Sequence, residues 1–155
     1  MIENILNSKE INYSSNLSMD HLKQKIESHF EQSTLSFFGK FTSSSEFAAY
    51  DKWSVISWYV PNFKRKAAYL KGEILKSGKG TLIKLNIRSN TMLSIASIVS
   101  VVVGIIIIIA AGSNMRFLII GSFFVLVGIL YYSLGIFSRN RLRSNFEKIL
   151  DLTKA

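Results

Sequence analysis

The chain of 155 residues contains no cysteine, which excludes a disulfide framework, a thiolate zinc site and a cysteine nucleophile. Asp and Glu together number only ten and are scattered. The two histidines, His21 and His29, lie two helical turns apart with no acidic or histidine cluster to complete a metal site. There is no G-x-x-x-x-G-K-[ST], no H-E-x-x-H and no G-x-S-x-G. "GKGT" at 78–81 lacks the upstream glycine of a phosphate loop and joins two strand patterns. No enzyme, cofactor or metal is expected from this inventory. The opening MIENILNSKE carries two glutamates and no apolar run of signal-peptide length, so it is not expected to export residues 1–90.

The most telling scarcity is of charge in two long runs. Residues 91–112 are 22 in number and uncharged, and twelve are Ile, Val or Leu. Residues 117–137 are also uncharged, with fourteen Ile, Val, Leu or Phe among 21. At about 1.5 Å per residue each run reaches roughly 30 Å, the thickness of a hydrocarbon core. A core helix of a soluble protein shows a polar face, and neither run has one. The pattern predicts a transmembrane hairpin over 91–137, with spans 91–112 and 117–137. The absence of any ionisable side chain inside the spans argues against a proton relay or an ion-coupled transporter.

The formal net charge is +9, and its placement sets the expected sidedness. Lys71, Lys76, Lys79, Lys84 and Arg88 precede the first span, and Arg139, Arg141, Arg143, Lys148 and Lys154 come after the second. The connecting loop holds Arg116 alone. The excess of cations on one side places both termini in the cytoplasm and the protein in the cytoplasmic membrane. Gly112 can end the first helix, and Ser113 or Asn114 can cap the second.

Small residues mark candidate packing stripes. Ala96, Ser100, Gly104 and Gly112 recur at multiples of four, and Gly121, Gly128 and Gly135 recur every seven. Such stripes allow close backbone approach. Two uses are open: the spans pack on each other, or one stripe drives oligomers.

Residues 1–90 read as a cytoplasmic helix with a small antiparallel β-sheet. In "SMDHLKQKIESHFEQ" Met19, Leu22, Ile26 and Phe30 recur at helical spacing after an N-cap, Ser18. From residue 34 the period becomes two, with Leu35, Phe37, Gly39 and Phe41 on one face. "EFAAYDKWSVISWYV" reads as one bent strand or two, stopped at Pro61. "KAAYLKGEILK", "SGKG" and "TLIKLNIR" read as a hairpin with Ile83, Leu85 and Ile87 toward the core. Four or five strands are expected, close against the bilayer.

Trp53, Trp58, Tyr59 and Phe63 precede the cluster Lys64, Arg65 and Lys66. Aromatics beside cations suit an anionic lipid surface, and so do Arg139, Arg141 and Arg143. The competing reading puts the aromatics in the sheet core and the cations in a solvated turn. The same pattern can bind single-stranded nucleic acid, but the neighbouring spans favour lipid over that partner. Residues 138–155 are expected to form a basic amphipathic C-terminal helix. Leu142, Phe146, Ile149 and Leu150 share one face, and no proline separates them from the second span. The second span is therefore expected to continue as one helix whose stripe packs back on the sheet. Lying along the membrane surface is the alternative.

The succession "FFGKF", "LKGEI", "GKGTLIKLNIRSN", two spans and "FEKIL" resembles a group of small bacterial two-span proteins with a β-rich N-terminal cytoplasmic region. The resemblance covers residues 19–150. That group has no established activity, so it implies no catalytic residues. Its shared glycines correspond to Gly39 and Gly72, which are expected to mark a strand bend or bulge.

The sequence as a whole predicts an α+β membrane protein whose cytoplasmic β domain binds a ligand or partner, anionic lipid included. The alternative is a membrane-disrupting or pore-forming effector, oligomerising through its small-residue stripes when a ligand binds.

Overall fold

The computed structural model describes residues 8–31, 37–52, 66–78, 80–150 and 152–154. In chain order the elements are β1 (Ser8–Ser15), α1 (Met19–Phe30), β2 (Phe37–Phe41), β3 (Glu46–Asp51), β4 (Ala68–Ser77), β5 (Gly80–Ser89), α2 (Thr91–Ala111), α3 (Met115–Leu150) and β6 (Thr153–Lys154). The strands form one antiparallel sheet in the order β2-β3-β4-β5-β1-β6, in which β6 is a two-residue edge. The α+β class agrees with the sequence pattern.

The strands form where the apolar period is two. In β4 and β5 Ala68, Leu70, Ile74, Ile83, Leu85 and Ile87 are all buried, while Lys71, Asn86 and Arg88 on the opposite face are exposed. Ser77 pairs with Gly80 where β4 turns into β5. Gly78 takes the positive φ of 47° that such a turn requires.

β1 is an addition to the strands legible in the sequence, whose pattern marks none at residues 8–15. It pairs with β5 from Ser8↔Arg88 to Ser15↔Thr81 and puts Ile11 and Tyr13 on the core face. Only two apolar residues mark its inner face, so its strand character comes from a partner some seventy residues away. The expected second half of the long aromatic strand, 53–60, lies outside the described residues.

The buried face of the sheet carries α1 and the last turns of α3. Ser18 caps α1, its hydroxyl accepting the His21 N–H. Leu22 and Ile26 are buried against the sheet, with Met19 and Phe30 packed beside them. Residues 138–150 continue α3 without interruption, and Leu142, Phe146 and Leu150 enter the same core. The Phe146 ring stacks on Phe47 with centroids 5.4 Å apart, and Phe30 closes on Phe47 at 6.0 Å. Each such buried side chain contributes about 1.5–3 kcal/mol, enough to hold the end of the helix on the sheet rather than along a surface.

Both glycines of the strand motifs have a different reason from the expected bulge. The pairings Gly39↔Ala49 and Gly72↔Phe47 fall within unbroken registers. A Cβ on Gly39 would run into the Phe30 ring, and one on Gly72 into the Phe47 ring. Each glycine makes room for an aromatic ring lying on the strand.

α2 and α3 form an apolar antiparallel pair that leaves the sheet through one residue, Asn90. Gly112 ends α2 at φ 53°, and Asn114 begins α3 by accepting the Arg116 N–H at 3.1 Å. Gly104, Gly121 and Gly128 lie in the contact between the helices. A Cβ on Gly104 would meet the Gly121 carbonyl oxygen at 2.7 Å, and one on Gly128 the Ser97 carbonyl oxygen at 2.8 Å. Gly135 is buried too, and the Ser100 hydroxyl donates to the Phe124 carbonyl at 2.7 Å. Ala96 departs from the expected stripe, since it is exposed and Ser97 is buried in its stead. Buried Ser97, Gly104 and Ala111 repeat every seven residues, the period of a supercoiled seam. A step of eight rotates about 80° around a helix, which turns Ala96 off that seam.

Candidate functional site

The sheet's other face carries no helix among the described elements. Its cross-strand pairs are polar: Tyr69↔Arg88, Lys71↔Asn86, Glu73↔Lys84 and Glu46↔Glu73. Two regions differ in charge. Away from the apolar hairpin, an open depression of about 480 Å³ is lined by Glu10, Glu46, Glu73, Lys71, Lys84 and Asn86, with Thr42 and Ala48. Glu46 and Glu73 stand opposite each other, a like-charge arrangement that attracts a cationic group. Toward the hairpin, a depression of about 220 Å³ is lined by Tyr69, Lys71, Asn86 and Arg88. It adjoins one of about 300 Å³ lined by Tyr69, Arg88, Asn90, Thr91 and Met92. These two have cationic linings with no carboxylate.

The hairpin end is held by hydrogen bonds. Asn90 accepts the Met92 N–H through its side chain at 2.9 Å and so caps α2. Its amide nitrogen Nδ2 donates to the Lys66 carbonyl at 2.8 Å, and its backbone N–H donates to the Ala67 carbonyl at 2.9 Å. The Lys66 N–H donates to the Tyr69 hydroxyl at 3.1 Å. The Arg88 guanidinium lies over the Tyr69 ring, 5.7 Å from its centroid. Sheet, cap and first helical turn are thus one connected frame.

The cations expected at a lipid surface divide. Trp53, Trp58, Tyr59, Phe63, Lys64 and Arg65 lie outside the described residues. Lys66 is half-buried, with Nζ 5.4 Å from the centre of the Tyr50 ring. Arg141 turns inward and binds Asp51 at 2.6 Å, and Arg143 pairs with Glu147 at 3.3 Å. Glu147 also accepts the hydroxyl of Tyr13, whose pKa is raised above the ordinary tyrosine value, first by burial and then by this hydrogen bond. Arg139 stays half-buried beside Asn140, its pKa lowered by burial and by Arg143. Arg141 therefore fastens α3 to the sheet directly, whereas Arg143 pairs within α3 with Glu147, the residue that takes the Tyr13 hydroxyl of β1. No group of three or more histidines and carboxylates suited to a metal ion occurs among the described residues.

Sequence reasoning missed Tyr69, Asn90 and the local role of Arg88. The alternation in 80–89 already places Lys84, Asn86 and Arg88 on one face. Their juxtaposition with Tyr69 needs the β4–β5 register. Comparison with protein families, curated proteins and solved structures finds no match, so the resemblance rests on its short motifs alone.

Proposed function

We propose that the α2–α3 hairpin spans a bilayer and that the sheet domain is a binding module held against the cytoplasmic membrane surface, with binding rather than catalysis as its role. One observation carries this reading. In the most apolar 18-residue stretches of α2 and α3 only 22% and 11% is buried. A core helix is mostly buried, whereas here Ile106, Ile109, Phe123 and Leu130 point outward, each more than half exposed. An exposed apolar surface of that extent requires an apolar surrounding. Lys66, Lys71, Arg88, Arg139, Arg141 and Arg143 cluster at the sheet end, and Arg116 alone marks the turn, which supports a cytoplasmic sheet domain. The open polar face of the sheet is the binding surface, and its two charged regions suit ligands of opposite sign.

The pore-forming alternative relies on free small-residue stripes. Gly104, Gly121 and Gly128 are engaged within the hairpin, which removes that support.

The chain's lack of cysteine makes the test clean. Membranes bearing the full chain with Arg116→Cys are washed in alkaline carbonate and labelled with an impermeant maleimide. The expected result is retention in the pellet and labelling from the non-cytoplasmic side only. Release by carbonate overturns the spanning hairpin, and labelling from the cytoplasmic side overturns the orientation.

A further inference from the structure

We infer that the hairpin end of the open sheet face binds a phosphate-bearing anion, the headgroup phosphate of an anionic lipid, in the depression between Tyr69, Arg88 and the first turn of α2. The inference rests on the membrane-spanning reading of the hairpin and adds a specific site to it.

Position supports it first. The lining passes from Arg88 through Asn90 and Thr91 to Met92, so a sheet cation and the first large apolar residue of α2 border one hollow. Met92 is 47% exposed. With α2 in a bilayer, a group resting on Arg88 lies at headgroup depth and Met92 meets the acyl chain beneath it.

Charge supports it second. Arg88 lines both adjoining hollows and Lys71 the first of them, and neither hollow has a carboxylate in its lining. The glutamates of this face, Glu10, Glu46 and Glu73, line the far depression, which Lys71 borders from the other side and Arg88 does not reach. Neither Arg88 nor Lys71 pairs with a carboxylate among the described residues. Contact with an aromatic ring engages the face of a guanidinium and keeps its N–H edge available for phosphate oxygens.

Rigidity supports it third. Tyr69 is tied through its hydroxyl to Lys66, and Lys66 through its carbonyl to Asn90. Holding the platform and the helix start in one frame reduces the ordering cost of binding.

The test uses the full chain in neutral detergent, titrated with phosphatidylglycerol, phosphatidylcholine or inorganic phosphate, with bound lipid counted by native mass spectrometry. The wild type is expected to retain phosphatidylglycerol in preference to phosphatidylcholine, and inorganic phosphate is expected not to displace it. Arg88→Gln and Lys71→Gln each lower retention about fivefold, the effect of one cation near an anionic surface. Lys84→Gln removes the same charge from the same face beside the acidic depression and leaves retention unchanged. Three results overturn the site: wild-type retention in both Arg88→Gln and Lys71→Gln, equal loss in Lys84→Gln, or displacement by inorganic phosphate, which points to a soluble phosphate. Lys71 is exposed, so its variant tests the site even where Arg88→Gln fails to fold. Carbonate extraction of each variant keeps the two readings apart. A wild-type chain released by carbonate overturns the spanning hairpin, whereas carbonate-resistant variants with wild-type lipid retention overturn the headgroup site alone.

Discussion

Arg141, on the last part of α3, reaches Asp51 at the end of β3 across ninety positions of sequence and binds its carboxylate at 2.6 Å. Asp51 is 2% exposed while Arg141 keeps 33% of its side-chain surface. The two ends of the contact therefore answer differently to removal. Replacing Arg141 by Met leaves a buried carboxylate short of its counter-charge and is expected to cost about 3 kcal/mol. Asp51→Asn keeps a polar group in place, lets Arg141 turn to solvent and is expected to cost about 1–2 kcal/mol. Urea unfolding in detergent, followed by circular dichroism, measures both, and an equal or reversed order counts against the buried-carboxylate account.

The Tyr13 hydroxyl donates to Glu147, which also holds Arg143 at 3.3 Å. Tyr13→Phe is expected to cost about 1.5 kcal/mol, the low end for a hydrogen bond to a charged group, because Arg143 remains. The folded pKa of Tyr13 lies above the unfolded value, so its contribution is fully present below pH about 10. As pH rises past that value the unfolded tyrosine ionises while the folded one resists, and the contribution is lost. The stability difference between wild type and Tyr13→Phe, measured from pH 8 to 11, should shrink at the alkaline end.

Gly104 and Gly121 set the spacing of the apolar helices. Gly104→Leu places a branched side chain where even a Cβ meets backbone at 2.7 Å, so the pair must splay. A loss of about 1–3 kcal/mol is expected, read as a lower melting temperature in detergent. Ala96→Leu, on an exposed face, serves as the control and should melt with the wild type.

In the sheet, Gly72 makes room for Phe47. Gly72→Ala drives a methyl into the ring and is expected to cost about 2 kcal/mol. Shortening the ring by Phe47→Leu removes the clash, so the double variant should be more stable than the sum of the single losses by about 1 kcal/mol. Strict additivity would show that the ring and the glycine are not in conflict.

The legibility of this protein in its sequence tracks the range of the interactions. The uncharged runs at 91–112 and 117–137 read as long helices and form them, because apolarity around a whole helix is a local property. The Ser18 cap, the alternation in β5 and the stripe Leu142, Phe146 and Leu150 lie within a few turns of chain and are equally legible. β1 is not, since Ile11 and Tyr13 alone are too weak a pattern without β5 beside them. The glycine stripe of α2 reads with a step of four, whereas the seam runs by sevens once a second helix supplies the partner. Arg141 reads as a surface cation because nothing local tells that Asp51, ninety positions away, takes it, whereas the Arg143–Glu147 pair lies within one helical turn.

Composition and periodicity alone determined the class of the fold, the apolar hairpin and the faces of the strands, since each residue's preference for water or an apolar surrounding is its own. Only the tertiary structure decided that Gly39 and Gly72 yield to aromatic rings, that Arg141 turns inward, and that Arg88, Tyr69 and the start of α2 enclose one cationic hollow. Those outcomes depend on strand register and on helix docking, which bring together residues far apart in the chain, and no local pattern encodes the distance between them.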